Sequence, residues 1–166
     1  MEAMEFYGQV NLLKGAIAAA DAVTTVSPRY AQEIQTYEST RELSGVIYKQ
    51  RRKLSGILNG IDTRYWNPET DPHIPERFSA KNLRGKVRAR EELLRKAGFD
   101  PHSKEPLVVC VSRLVEQKGF SLILSALDAL PELGAKFIFL GSGHGWIENA
   151  LSQAGERFPD TLHFFR

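Results

Sequence analysis

The chain has 166 residues, 42% apolar and 25% charged, which is enough to build the core of one domain, or of one domain and part of another, and is unlike a disordered chain. A formal net charge of +2 gives no electrostatic ground for a nucleic-acid partner. The one cysteine, Cys110, excludes a disulfide framework and reads as a buried, inert thiol, and no apolar run is long enough to span a bilayer.

The start, "MEAMEFYGQ", is acidic and polar, unlike a secretory signal or a transit peptide, so a soluble cytosolic protein is the default expectation. Tyr7 to Ala19 places Val10, Leu13, Ala16 and Ile17 at helical spacing and predicts a helix. "DAVTTVS" predicts a short β-branched strand, and Ser27-Pro28 after it predicts a helix start, with the serine as cap and the proline at the first helical position. Residues 36–54 read as irregular. Their run "YKQRRK" carries four cations but has no broad basic face, so a solvated loop or helix end is expected there. "LSGILNGID" is an apolar burst broken at Asn59-Gly60. A hairpin turn at that pair is weak, because "TRYWNPETDPHIPERF" follows with three prolines and no period and reads as a surface excursion.

"SAKNLRGKVRAREELLRKAGFDP" predicts a helix capped by Ser79 and ended by Gly98, with Leu83, Val87 and Leu94 on one face. "PLVVCVS" reads as a strand buried on both faces, and "FSLILSALDAL" as a helix with Phe120, Ile123, Leu124, Leu127 and Leu130 in one stripe. "KFIFL" is a second strand, "GSGHG" a glycine turn, "WIENALSQAG" a helix and "TLHFF" a third strand. This alternation predicts an α/β unit, a Rossmann-like parallel sheet with flanking helices.

Ligands of such sheets sit beyond the carboxyl ends of the strands. Two features fall there: "SRLVEQKG" after the first strand and "GSGHG" after the second. If these strands are neighbours, Arg113, Lys118 and the glycines Gly141 and Gly143 face one crevice. Arginine offers a planar fork and lysine a compact charge for phosphate oxygens, and glycines let backbone approach a ligand. From the residues alone, two readings stay open for each: a phosphate site, or solvated charges beside a structural turn. The pattern is neither a nucleotide-triphosphatase phosphate loop nor a dinucleotide fingerprint. Glu116 and Glu148 are not assigned a catalytic role. Tyr65, Trp66 and Trp146 are read as packing residues, His144 as exposed. His73, His102 and His163 show no metal-ligand spacing.

Taken together, "EFYGQVNLLKGAIAAADAVTTVSPRYAQEIQT", "GILNGIDTRYWNPETDP", "SRLVEQKG" and "LGSG" resemble bacterial glycogen synthases and plant starch synthases over nearly the whole chain. The resemblance implies a partial GT-B fold, two Rossmann-like domains facing across a cleft. Residues 1–54 would be the tail of the first, acceptor domain, and 55–166 the start of the second, nucleotide-sugar donor domain. It implies a retaining glucosyltransferase that moves glucose from ADP-glucose to the non-reducing end of an α-1,4-glucan, glycogen or starch, with no cofactor or metal and no nucleic-acid or membrane partner. Alternatives are another GT-B nucleotide-sugar glycosyltransferase and a non-catalytic nucleotide- or glucan-binding remnant. Arg113 and Lys118 would be the catalytic cations on the donor diphosphate, and Asn59, Gly141 and Gly143 would line the substrate site. The family's "KTGGL" and "EPCGL" blocks are absent, which implies an internal piece of the enzyme, inactive alone. The compartment would be bacterial cytoplasm or plastid stroma.

Overall fold

The computed structural model describes residues 4–166. Met1 to Ala3 of the polar start lie outside the described residues. The chain divides into two compact units, one ending at Arg64 and one running from Tyr65 to Arg166.

The first unit opens with a small antiparallel hairpin, β1 (Glu5–Phe6) and β2 (Gln9–Val10), where the apolar spacing predicted helix. Tyr7 and Gly8 take φ of 50° and 77°, the paired positive values of a tight two-residue turn, and Glu5 Oε1 accepts the Gly8 N–H at 2.8 Å. The helix α1 (Leu12–Ala19) begins only at Asn11, whose side chain accepts the Lys14 N–H at 2.9 Å. Then come β3 (Val23–Val26) and α2 (Pro28–Glu33), with Ser27 Oγ accepting the Tyr30 N–H at 3.1 Å, as the Ser-Pro pair predicted.

The stretch that reads as irregular forms two short helices, α3 (Tyr37–Thr40) and α4 (Ser44–Lys49), and two 3-10 turns, Arg41–Leu43 and Arg51–Lys53. The "YKQRRK" run is thus a helix end. Lys53 Nζ donates to the carbonyl of Ala18 at 3.0 Å, and also to that of Ala20, in the segment that closes α1. The strand β4 (Leu54–Ile57) pairs in parallel with β3 along its whole length, from Val23 opposite Leu54 to Val26 opposite Ile57. The strand β4 thereby belongs to the first compact unit.

The second unit begins with the proline-bearing excursion and settles into α5 (Arg84–Lys96). Ser79 does not cap this helix. Its backbone exchanges hydrogen bonds with Asn82 in a tight turn, and Asn82 Oδ1 accepts the Arg84 N–H at 3.2 Å instead. Gly98 does end it, at φ 79°, and the Phe99 N–H returns to the Leu94 carbonyl at 2.9 Å while Gly98 N–H meets that of Arg95 at 3.1 Å. Of the predicted face, Leu94 is buried and Leu83 and Val87 are exposed, because the sheet reaches only the C-terminal half of the helix.

The predicted alternation follows: β5 (Leu107–Val111), α6 (Phe120–Ser125), β6 (Lys136–Leu140), α7 (Gly145–Arg157) and β7 (Leu162–Phe165). The sheet runs β5-β6-β7, all parallel. Strand β6 lies in the middle, so its alternate side chains separate two cores. Phe137 and Phe139 face α6 and α7, and Ile138 packs with Leu94, Ala97 and Phe99 on the α5 side. The helix after β5 is shorter than its stripe suggests: at Ala126 it tightens into a 3-10 segment, Leu127–Leu133, that contains Pro131. Phe120, Leu127 and Leu130 are still buried, with Ile123 and Leu124 packed beside them. Double-sided burial of β5 does not hold. Val108, Val109 and Val111 are exposed, because β5 is an edge strand here. Cys110 is half-buried against the core, whereas Tyr65, Trp66 and Trp146, expected to pack, are exposed.

Candidate functional site

The crevice forms because β5 and β6 are neighbours in register, with Val111 opposite Leu140. Both strands then end at the same edge, and the two chains that leave them stay joined. Ser112 N–H donates to the Leu140 carbonyl at 3.1 Å, Leu114 N–H to that of Ser142 at 2.9 Å, and His144 N–H to that of Leu114 at 2.8 Å. The "SRL" segment and the glycine turn are one hydrogen-bonded piece, an extension of the ladder beyond the strands.

This contact explains the glycines. A Cβ on Gly141 would fall 1.9 Å from the Ser112 carbonyl oxygen, and one on Gly143 would fall 2.2 Å from that of Leu114. Glycine is needed at both positions for loop to meet loop. The helix α7 starts directly after, with exposed His144 as its cap residue, so its first turn opens onto the same edge.

Each cation sits on a buried anchor. Arg113 is exposed and precedes Leu114, which is 1% exposed; Lys118 is exposed and lies two residues before Phe120, also 1% exposed. Between them a 3-10 turn, Glu116–Lys118, closes with Gly119 at φ 79°. Among the described residues neither Arg113 nor Lys118 forms an ion pair. Two uncompensated cations therefore stand on a rigid rim at the carboxyl edge of a parallel sheet, an arrangement suited to an anion such as a phosphate.

Glu148, to which the sequence assigns no catalytic role, has a structural one. It is buried, at 6% exposure, and its Oε1 accepts the Gly143 N–H at 2.8 Å while Oε2 pairs with Arg166 Nη2 at 3.0 Å. A glutamate near a helix start, able to turn back to the N–H groups before the cap, was the available signal.

In the first unit, Asn59 lies just past the carboxyl end of β4. With Val26, Ser27, Tyr30 and Leu58 it lines an open cleft of about 520 Å³. Ser27 is held at φ 79° by its cap bond to Tyr30 and by its own N–H on the Ile57 carbonyl at 3.0 Å. Gly56 permits this, since a Cβ there would meet the Ser27 carbonyl oxygen at 2.0 Å. Each unit by itself thus places its expected site residues at the carboxyl ends of parallel strands. Among the described residues no His, Cys, Asp and Glu groups gather as metal ligands, and no helix is long and apolar enough to cross a membrane.

Residues 1–49 match the family described as starch synthase catalytic domain. The chain is 44% identical over 161 residues to a glycogen synthase of Roseobacter denitrificans, covering 97% of this chain and 34% of that protein. It is 44% identical over 164 residues to a glycogen synthase of Thermus thermophilus, covering 99% and 37%. The catalytic domain of starch synthase IV from Arabidopsis thaliana, solved bound to ADP and acarbose, superposes with a TM-score of 0.87 at 40% identity, covering 99% of this chain and 34% of that one. The chain spans about a third of the length of these relatives. By sequence over 97% of its length and by fold over 99%, the chain is similar to part of the glycogen and starch synthases.

Proposed function

We propose that this chain carries donor-binding elements of a glucosyltransferase that moves glucose from ADP-glucose to the non-reducing end of an α-1,4-glucan with retention of configuration. The observation that carries the reading is the rim itself: Arg113 and Lys118, exposed and without acid partners among the described residues, on a segment tied to a glycine turn at a parallel sheet's carboxyl edge. Glucosyl transfer leaves a nucleoside diphosphate behind, and negative charge grows on its bridging oxygen as the bond to the sugar breaks. Fixed cations stabilise that charge more than they stabilise the intact donor, which is how they accelerate the step. In this reading Arg113 takes phosphate oxygens with its fork and Lys118 adds a point charge. Gly141 and Gly143 keep the floor of the site low, and Asn59 serves the sugar in the first unit's cleft. Glycogen or starch is the acceptor, and no metal or cofactor takes part.

The two compact units are proposed to belong to the acceptor and donor domains of a GT-B enzyme, working in bacterial cytoplasm or in plastid stroma. The bound ADP of the Arabidopsis starch synthase structure supports the choice of nucleotide. Calorimetric titration of ADP into the chain and its Arg113→Ala and Lys118→Ala variants tests the reading. Binding by the parent is expected to weaken about tenfold or more in each variant, as loss of a charge-assisted contact does. Equal affinities in all three, or no binding by the parent, overturn it.

A further inference from the structure

Among the described residues, Glu148 is the one charged side chain that is buried. A carboxylate is taken out of water at a cost unless its oxygens are partnered, and here both are. One holds the Gly143 N–H at 2.8 Å and the other the Arg166 guanidinium at 3.0 Å. The side chain starts in the first part of α7, where the helix dipole also favours an anion, and reaches back over the cap residue to the turn before it.

The position has two consequences. The Gly143 N–H is already satisfied from within the protein, so the turn does not offer it to an anion. The turn is also gripped from both sides: the Leu114 backbone holds Ser142 and His144 on one side, and Glu148 holds Gly143 on the other. Arg113 rides on the segment held by the first of these grips. We infer that Glu148 is a positioning residue for the binding of a nucleoside diphosphate, fixing the glycine turn and through it the backbone that presents Arg113. This rests on the donor-site reading above. Glu148 acts through Gly143 rather than on the ligand. Its negative charge is matched by Arg166, which leaves the charge of Arg113 and Lys118 available to the diphosphate.

The test combines amide hydrogen exchange at Gly143 with ADP titration, in the parent chain and in E148A, E148Q and E148D. Glutamine keeps an oxygen for the Gly143 N–H. Alanine removes it, and aspartate withdraws it by one methylene while keeping the charge. Exchange at Gly143 is expected to quicken about tenfold in E148A and E148D, with ADP binding weakened by a similar factor, the size set by one buried hydrogen bond. In E148Q both are expected to stay within about threefold of the parent. Should E148A fail to fold, E148D carries the same expectation. Unchanged exchange at Gly143 in E148A and E148D, or an E148Q chain as impaired as E148A, overturns the role of Glu148. Absence of ADP binding by the parent chain overturns the donor reading instead, a result that the exchange measurement separates from the first.

Discussion

Gly143 stands so close to Leu114 that a side-chain carbon on it would lie 2.2 Å from the Leu114 carbonyl oxygen. That oxygen is not free to move aside, because it accepts the His144 N–H at 2.8 Å. Gly143→Ala must therefore push the turn away from the "SRL" segment. The expected result is a loss of about 1–3 kcal/mol of stability, the usual cost of overpacking, together with loss of ADP binding. Gly145→Ala provides the contrast: a Cβ there meets nothing within 4 Å, and the substitution is expected to leave both unchanged. Urea unfolding and calorimetry on the two variants check this, and equal behaviour of the pair would count against the packing argument.

Arg113 and Lys118 differ in what they can offer an anion, and the difference is measurable. Arg113→Lys keeps the charge and loses the planar fork, so it is expected to recover only part of the ADP affinity lost in Arg113→Ala. Lys118→Arg keeps the charge on a longer side chain and is expected to retain most of it. Raising the salt concentration should weaken binding in the parent more than in either alanine variant, because both cations are solvent-exposed and screened. Titrations at two ionic strengths decide the matter; a salt response equal in all variants is incompatible with a charge-based site.

Much of the fold was legible where local chemistry decides it. Ser27-Pro28 marked a helix start because both residues act within one turn, and Gly98 marked a helix end because its φ of 79° is one that glycine adopts without strain. The strand and helix alternation from Leu107 to Phe165 was legible from periodicity. What failed depended on partners distant in sequence or on coincidences of spacing. Val10 fell on the helical stripe of Leu13 and Ile17 yet belongs to a hairpin, because Tyr7-Gly8 turns the chain before the helix can begin. The apolar run of β5 says that it suits a buried site, but whether both faces are covered depends on its neighbours. At the site, the cations and glycines could be named from their order along the chain. The clamp of Glu148 on Gly143 could not, since burial of that carboxylate is set by the packing of α7 on the sheet.

His163 on β7 titrates against its surroundings. Burial lowers its pKa from the ordinary 6.5, because the charged imidazolium loses hydration in the fold. The unfolded chain then binds the proton at a pH where the folded chain does not, so stability falls as pH drops through 6.5 and levels off below the folded value. His163→Leu is expected to remove this acid-side loss, giving a flatter stability profile between neutral pH and about pH 5. Melting temperatures across that range for parent and variant are the measurement. Parallel profiles would show that another group sets the slope.

Lys53 shows that a run of cations need not face a ligand. Of the charges in "YKQRRK", Lys49 and Arg52 are exposed, while Lys53 is partly buried and donates to the Ala18 and Ala20 carbonyls. Those carbonyls mark the end of α1, where a helix presents acceptors with no partner of their own and favours a positive charge. Lys53 also directly precedes Leu54, the residue that pairs with Val23, so the bonds link the segment leading into β3 to the start of β4. Removing it leaves part-buried carbonyls without a donor. Lys53→Met retains the apolar stem and loses the charge, which isolates the hydrogen bonds from the packing. A loss of about 1–3 kcal/mol is expected in Lys53→Met, and within about 0.5 kcal/mol of no change in Lys49→Ala and Arg52→Ala. Hydrogen exchange along β4 reports the effect locally: the amides of Leu54–Ile57 should lose protection in Lys53→Met alone. Equal protection in all three variants would mean that the strand pair holds its register without the lysine.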